Sequence, residues 1–382
     1  MQNLKLIATA AFGLEAVVKR EVEALGFSDI KVLDGRVDFS GGIDAISSAN
    51  LWLRSADRVL LNMGSFTALS FDELFEKCKA LPWADWIPKH GKFTVLGKSV
   101  RCTKLFSVPD IQSIVKKSVV EKLKMTYHID HFPENGPEYT IQAALLKDVA
   151  TITIDTTGHR MGLHKRGYRE NSAAAPLKET MAASLISLSY WKPDRILLDP
   201  TCGSGTIPIE AALIAKNIAP GLARSFVSEA WPQIPEKIWK EARKKAYAAI
   251  DSFAEPLIFG SDIDPAAIEL AQANAIEAGV DDCIRFEKKP LNEIVLPGEY
   301  GVAISNPPYG ERLGRMQEVQ QLYADMGRVF NDATWSVYAL TSDEFFEAAF
   351  GRRAKSKRKL FNGNIKTDYY QYPGRRPPAK NC

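Results

Sequence analysis

Apolar positions change period several times along the first 158 residues. Residues 4–10 read as a strand. Leu14, Val17, Val18, Val22 and Leu25 then recur at helical spacing, and Gly26 closes that run. Residues 30–33 and 37–39 flank Asp34-Gly35, a dipeptide suited to a tight primed turn, and so predict a hairpin. A helix over 43–53 and a strand over 59–63 complete the order βαββαβ, that of a ferredoxin-like fold. In the next stretch, residues 71–79 predict a helix and 93–100 a strand. Ile111, Ile114, Val115, Val119 and Leu123 mark a second helix with interleaved lysines, and 139–146 with 149–155 predict a hairpin across Lys147-Asp148.

From about residue 170 the pattern becomes alternating strand and helix. Strands are expected near 195–199, 257–262, 283–287, 301–305 and 335–340, which predicts a mostly parallel, doubly wound sheet. The end differs, because 355–361 and 366–372 flank Asn362-Gly363 and predict an antiparallel hairpin closing the sheet. The fold class is therefore α/β. Four parts are expected: an α+β unit over 1–66, a second over 67–158, a basic linker over 159–171 and the sheet domain over 172–382.

Composition narrows this picture only slightly. With 46% hydrophobic and 25% charged residues the chain is ordinary for a globular protein, and its net charge is +3. Charge distribution is more telling. Residues 351–366 hold seven Lys/Arg and no acid, and residues 159–169 hold four Lys/Arg and two His, again without an acid. Two such stripes on a near-neutral chain suit a nucleic acid. The five cysteines form no C-x-x-C pair, so a disulfide framework or a zinc site is not expected and a cytoplasmic setting is. Residues 6–14 are apolar, but Glu15 and Lys19-Arg20-Glu21 interrupt them early, which fits a strand and amphipathic helix better than a signal peptide. No stretch is long and apolar enough to span a bilayer.

The chemistry lies in two short motifs about a hundred residues apart. The first, Asp199-Pro200-Thr201-Cys202-Gly203-Ser204-Gly205-Thr206, reads as a strand end, a glycine-rich turn and a helix start. A dinucleotide site would have G-x-G-x-x-G and a pyrophosphate; here Asp199 precedes the turn, and an acid suits a cation better. S-adenosyl-L-methionine carries an amino group and a sulfonium, so Asp199 can face its amino-acid end. Asp262, at the end of the next strand, is the candidate for the ribose hydroxyls. Asp264 is a weaker one, since it precedes Pro265 as a helix cap would.

The second motif is Asn306-Pro307-Pro308-Tyr309, directly after an apolar strand. An exocyclic base amine is a poor nucleophile, because its lone pair is delocalised into the ring. Two acceptors near its hydrogens, the Asn306 side-chain oxygen and the Pro307 carbonyl, would favour a tetrahedral nitrogen and free that pair. The prolines stiffen the turn in advance, and Tyr309 offers a ring for stacking a flipped base. The motif serves guanine N2 and adenine N6 equally, so adenine-N6 methylation of DNA stays open as a rival, as does a non-catalytic RNA-binding protein built on this scaffold.

These motifs, with Gly310-Glu311-Arg312-Leu313, Lys165-Arg166-Gly167-Tyr168-Arg169 and Ala175-Pro176-Leu177-Lys178-Glu179, resemble the THUMP-containing class I methyltransferases that methylate guanosine N2 in large-subunit ribosomal RNA or in tRNA. The resemblance covers the whole chain. It implies a ferredoxin-like subdomain over 1–66, a THUMP RNA-binding domain over 67–158 and a Rossmann-like methyltransferase domain with a seven-stranded sheet. It implies that Pro176 packs near the cofactor's methionine end, beside Thr201, Cys202, Gly203, Gly205 and Thr206. It also implies RNA as partner, ribosomal RNA ahead of tRNA, with Lys165, Arg166, Arg169, Arg352, Arg353, Lys355, Lys357 and Arg358 as phosphate contacts. No metal is expected. The sequence departs from the general class I pattern after the third strand, where Lys288-Lys289-Pro290-Leu291-Asn292-Glu293 stands in place of an acid near the adenine amine. His159 and His164 have no Ser, Cys or ligand cluster beside them and are read as RNA or packing residues.

Overall fold

A computed structural model describes residues 3–169, 177–308, 316–363 and 365–378. The chain forms two compact units. One comprises Met1–Ala10, Lys19–Leu163 and Arg224–Lys245; the other comprises Ala11–Val18, His164–Ala223 and Ala246–Cys382.

The elements run in the order β1 (Leu4–Thr9), α1 (Glu15–Ala24), β2 (Ser28–Leu33), β3 (Arg36–Gly41), α2 (Asp44–Trp52) and β4 (Arg58–Thr67), the expected βαββαβ series. Then come α3 (Phe71–Lys79), β5 (Lys92–Val100), α4 (Val108–Tyr127), β6 (Glu138–Leu146) and β7 (Val149–Asp155). Local chemistry explains several boundaries. Gly35, at φ +74°, makes the β2–β3 turn. Ser70 caps α3, its Oγ accepting from Glu73 N–H at 3.2 Å. In α4 the buried stripe is Ile111, Val115, Val119 and Leu123, each four residues apart, and Lys116 and Lys117 between them face solvent.

The two α+β stretches share one seven-stranded sheet, ordered β2-β3-β1-β4-β7-β6-β5. The pattern alone did not foresee this join. It is made by β4, whose ten residues pair with β1 through Arg58–Leu61 and with β7 through Leu60–Thr67.

The second unit carries α5 (Glu179–Leu188), β8 (Leu197–Asp199) and α6 (Thr206–Ala215). After α7 (Glu236–Ala248) come β9 (Ile258–Asp262), α8 (Pro265–Glu277), β10 (Ile284–Lys288), β11 (Val302–Ser305), α9 (Met316–Val329), β12 (Ser336–Thr341), α10 (Phe346–Phe350), β13 (Ser356–Asn362) and β14 (Ile365–Tyr372). Strand order is β10-β9-β8-β11-β12-β14-β13, parallel through β12 and antiparallel at β14 and β13. This is the mixed seven-stranded sheet expected. β8, β11 and β12 are buried along their whole length, as strands covered on both faces must be. One face packs Ile207, Ala211 and Ala275 from α6 and α8. The other packs Tyr323, Met326, Phe330 and Phe346. Strand order reverses between β8 and β11, and in open α/β sheets ligands bind outside the carboxyl ends at such a switch point. Both motifs sit there: the glycine-rich turn follows β8 and Asn306 follows β11.

Candidate active site

The turn after β8 is held from several sides. Gly203 and Gly205 lie at φ +52° and +79°, a region that L side chains rarely adopt. A Cβ on Gly205 would also stand 3.0 Å from Ala271 Cβ and 3.0 Å from Phe286 Cζ. Cys202 N–H donates to Ser261 O at 2.9 Å, and Asn274 Nδ2 donates to Ser204 O at 2.9 Å. Thr201 Oγ1 and Ser305 Oγ share a hydrogen bond of 2.7 Å, which ties this turn to the end of β11, one residue before Asn306. Sequence reading missed Ser261, Asn274 and Ser305, because nothing in their own neighbourhoods marks them; their roles come from sheet order.

Asp199 is 2% exposed, and its Oδ1 accepts from Thr201 N–H at 3.1 Å. Burial holds its carboxyl well above the usual range; the Thr201 N–H opposes this, and the Asp262 carboxylate adds a smaller push upward. A buried acid of this kind gains most from a cation, which suits the ammonium of an amino-acid moiety. Asp262 Oδ2 accepts from Gly203 N–H at 2.9 Å and Oδ1 from Asp264 N–H at 3.0 Å. Each oxygen keeps a lone pair for a ligand hydroxyl. Asp264 caps α8, accepting from Ala266 N–H at 2.9 Å, with Pro265 at the first helical position. Beside the end of β9 a cleft of about 300 Å³ is lined by Ser261, Lys289, Ile294 and Val295. Lys289 N–H donates to Asp262 O at 2.9 Å, so the segment after β10 meets this strand end through its backbone.

Asn306 completes the arrangement. Among the described residues its Oδ1 is buried with no hydrogen-bond partner, an unusual state for an amide oxygen. Pro307 is buried and Pro308 exposed. Tyr323, from α9, donates to Pro308 O at 3.3 Å and shares a hydrogen bond of 3.1 Å with Thr341 Oγ1, so it steadies the proline turn from outside the motif. Tyr309 and Pro176 lie outside the described residues. Among the described residues no cluster of three His, Cys, Asp or Glu could hold a metal, and no helix is long and apolar enough to cross a membrane.

The basic residues divide. Arg166 is 3% exposed, its Nε and Nη2 meeting Glu210 at 3.3 and 3.4 Å, with Tyr168 OH donating to the same carboxylate at 3.2 Å. That burial leaves no face for a phosphate, contrary to the sequence expectation. Arg169 likewise turns inward: it donates to Thr206 Oγ1 at 2.9 Å and Leu177 O at 3.2 Å, and pairs with Glu179 at 3.1 Å. It thus braces the first residue of α6. Arg352 donates to Phe330 O at 3.2 Å and lies over the Phe350 and Tyr372 rings. Lys357 is exposed but pairs with Glu347, and Arg358 donates to Gly13 O at 3.1 Å. Lys165, Arg353 and Lys355 are exposed. Charge runs betray residue type but not partners far along the chain, so the sequence alone groups these residues as one surface.

Comparison with known proteins agrees with the geometry. Residues 166–371 match the RMKL-like methyltransferase domain (UPF0020), residues 5–60 the RlmL ferredoxin-like domain and residues 68–155 the THUMP domain. The chain is 53% identical over 376 residues to "Putative RNA methyltransferase YpsC" of Bacillus subtilis (strain 168), covering 97% of this chain and 96% of that one. It is 33% identical to ribosomal RNA large subunit methyltransferase K/L of Cellvibrio japonicus (strain Ueda107), covering 94% of this chain but 50% of that longer protein. Among solved structures it resembles SMU.472, crystallised with S-adenosylhomocysteine, at 46% identity and a TM-score of 0.92, over 99% of this chain and 100% of that one. With that fold, and a buried acid suited to its ammonium, the cofactor is S-adenosylmethionine. The chain belongs to the RMKL-like (UPF0020) family of THUMP-containing class I methyltransferases.

Proposed function

We propose that this chain methylates the N2 amine of a guanine in large-subunit ribosomal RNA, in the cytoplasm. The observation that carries the reading is the buried, unpartnered Asn306 Oδ1 at the end of β11, beside the turn that holds Asp199. When bound, S-adenosylmethionine supplies an electrophilic methyl group on a sulfonium. Asp199 would hold its ammonium and Asp262 its ribose hydroxyls. Asn306 Oδ1 and the Pro307 carbonyl accept from the two hydrogens of the base amine, which draws its lone pair out of the ring and makes the nitrogen nucleophilic. No strong base is needed, since the alkylated, positively charged amine is a strong acid and releases its proton late to water. Tyr309 stacks the flipped base. Exposed Lys165, Arg353 and Lys355 meet phosphates without reading sequence.

RNA is favoured by the THUMP match and by the ribosomal substrate in the name of the Cellvibrio japonicus relative. The test is methyl incorporation from labelled cofactor into undermethylated ribosomal RNA, tRNA and DNA in parallel, followed by digestion to nucleosides. Labelled N2-methylguanosine from ribosomal RNA supports the proposal. Label in N6-methyladenine from DNA keeps the chemistry and overturns the substrate. Label in tRNA alone overturns the choice of RNA.

A further inference from the structure

The N-terminal unit holds a cleft of about 610 Å³. Lys92, Glu138, Tyr139, His159, Arg160 and Phe226 are among the residues that line it. All belong to one compact unit, although Phe226 comes from the segment Arg224–Lys245, far along the chain. The loop that carries His159 and Arg160 is fixed at both ends. Asp155, fully buried, accepts from Thr157 and Gly158 N–H at 2.9 and 3.1 Å. Arg58 pairs with the same carboxylate at 2.6 Å and donates to Gly158 O and His159 O at 2.6 and 2.7 Å. From the other side Arg224 donates to Gly162 O at 2.5 Å and to Met161 O, and Ser228 Oγ donates to Thr156 O at 2.7 Å. Trp231 secures the returning segment, stacking on Tyr139 at 4.7 Å and donating to Glu138 O at 3.0 Å.

Two arginines therefore hold backbone carbonyls on both sides of Arg160, while its own side chain is exposed at the cleft. The acid of the cleft, Glu138, is matched by Lys92 at 3.2 Å. That leaves Arg160 and His159 as groups for an anion on a preorganised loop. We infer that this cleft is a phosphate-binding groove for the RNA substrate, walled on one side by Ser225, Phe226 and Val227. The inference rests on RNA being the substrate. A rigid loop that presents one guanidinium fixes the register of a backbone without reading bases. Its place in the N-terminal unit makes it a hold on the RNA distinct from the site of methyl transfer.

The experiment uses the full-length protein and a fluorescein-labelled stem-loop fragment of ribosomal RNA. Arg160→Glu is compared with Lys237→Glu, the same charge change on an 81% exposed side chain outside the cleft. Arg160→Glu is expected to weaken RNA binding roughly tenfold or more. It should also flatten the salt dependence by about one phosphate contact. Lys237→Glu should stay within about twofold of wild type, an exposed charge away from the groove contributing little. Unchanged thermal unfolding shows that each variant is folded, and unchanged calorimetric titration with S-adenosylhomocysteine shows that its cofactor site is intact. In methyl transfer Arg160→Glu should raise KM for RNA and leave kcat unaltered. Thiouridine-substituted RNA should photocrosslink to peptides spanning 157–161 or 225–227. Equal RNA affinity of Arg160→Glu and wild type, or crosslinks confined to the methyltransferase unit, overturns the groove. Methylation of DNA and not RNA overturns the reading beneath it instead, and a protein partner displacing RNA from the cleft assigns the groove elsewhere.

Discussion

Asp199→Asn separates what the acid does for the fold from what it does for the ligand. The substitution keeps the shape and the oxygen that accepts from Thr201 N–H at 3.1 Å, but removes the charge. In the free protein that charge is unfavourable. Asp199 is 2% exposed, and burial, with the Asp262 carboxylate adding to it, raises its folded-state pKa well above the unfolded value. The sign follows from linkage: between those two values the native state binds the extra proton, so stability falls as pH rises through that window. Asn has no proton to lose, so the variant should be more stable than wild type at neutral and higher pH, with the gap closing toward pH 4. Ligand binding should move the other way. A charge-assisted hydrogen bond to an ammonium contributes about 1.5–3 kcal/mol, so affinity for S-adenosylhomocysteine should fall roughly ten- to 150-fold. Thermal unfolding across pH reads the first effect and calorimetric titration the second. A variant less stable than wild type at neutral pH and unimpaired in binding would refute both the buried-charge argument and the role given to Asp199.

Other substitutions test other parts of the site. Asn306→Ala should cut methyl transfer by about 10²–10³, as loss of one preorganised polar group does, with affinity for S-adenosylhomocysteine within a few-fold; full activity would disprove the acceptor role. Gly205→Ala combines a left-handed backbone with contacts of 3.0 Å to Ala271 and Phe286, and should cost about 2–6 kcal/mol in urea unfolding, of which strain and overpacking each supply about 1–3. Arg166→Met strands the buried Glu210 carboxylate and should lose about 3–5 kcal/mol. Adding Glu210→Leu should recover most of that loss in the same denaturation assay.

Much of this architecture can be read from the chain because its signals are local. Asp34-Gly35 and Asn362-Gly363 fix two hairpins, the spacing of Ile111 to Leu123 fixes one helix, and the strand-turn-helix at Asp199–Thr206 marks the ligand end of the sheet. What escapes reading depends on contacts between distant positions. Arg166 looks like a surface cation until Glu210 is seen beside it, 44 positions on. Tyr323 has no motif of its own, yet it steadies Pro308. The segment Arg224–Lys245 lies in sequence between strands of the sheet domain, and only its packing assigns it to the N-terminal unit.

That assignment bears on how the protein is made. A ribosome releases residues in order, and the N-terminal unit is not finished when residue 163 emerges. Tyr139 lacks its stacking partner, and the carbonyls of Met161 and Gly162 lack Arg224, until the segment up to Lys245 has followed. At about 5–20 residues per second that interval lasts several seconds. By then β8 and α6 of the next unit have already been synthesised. Nascent chains therefore carry two half-built bodies at once, and a fragment cut at residue 158 would lack one wall of its own first domain.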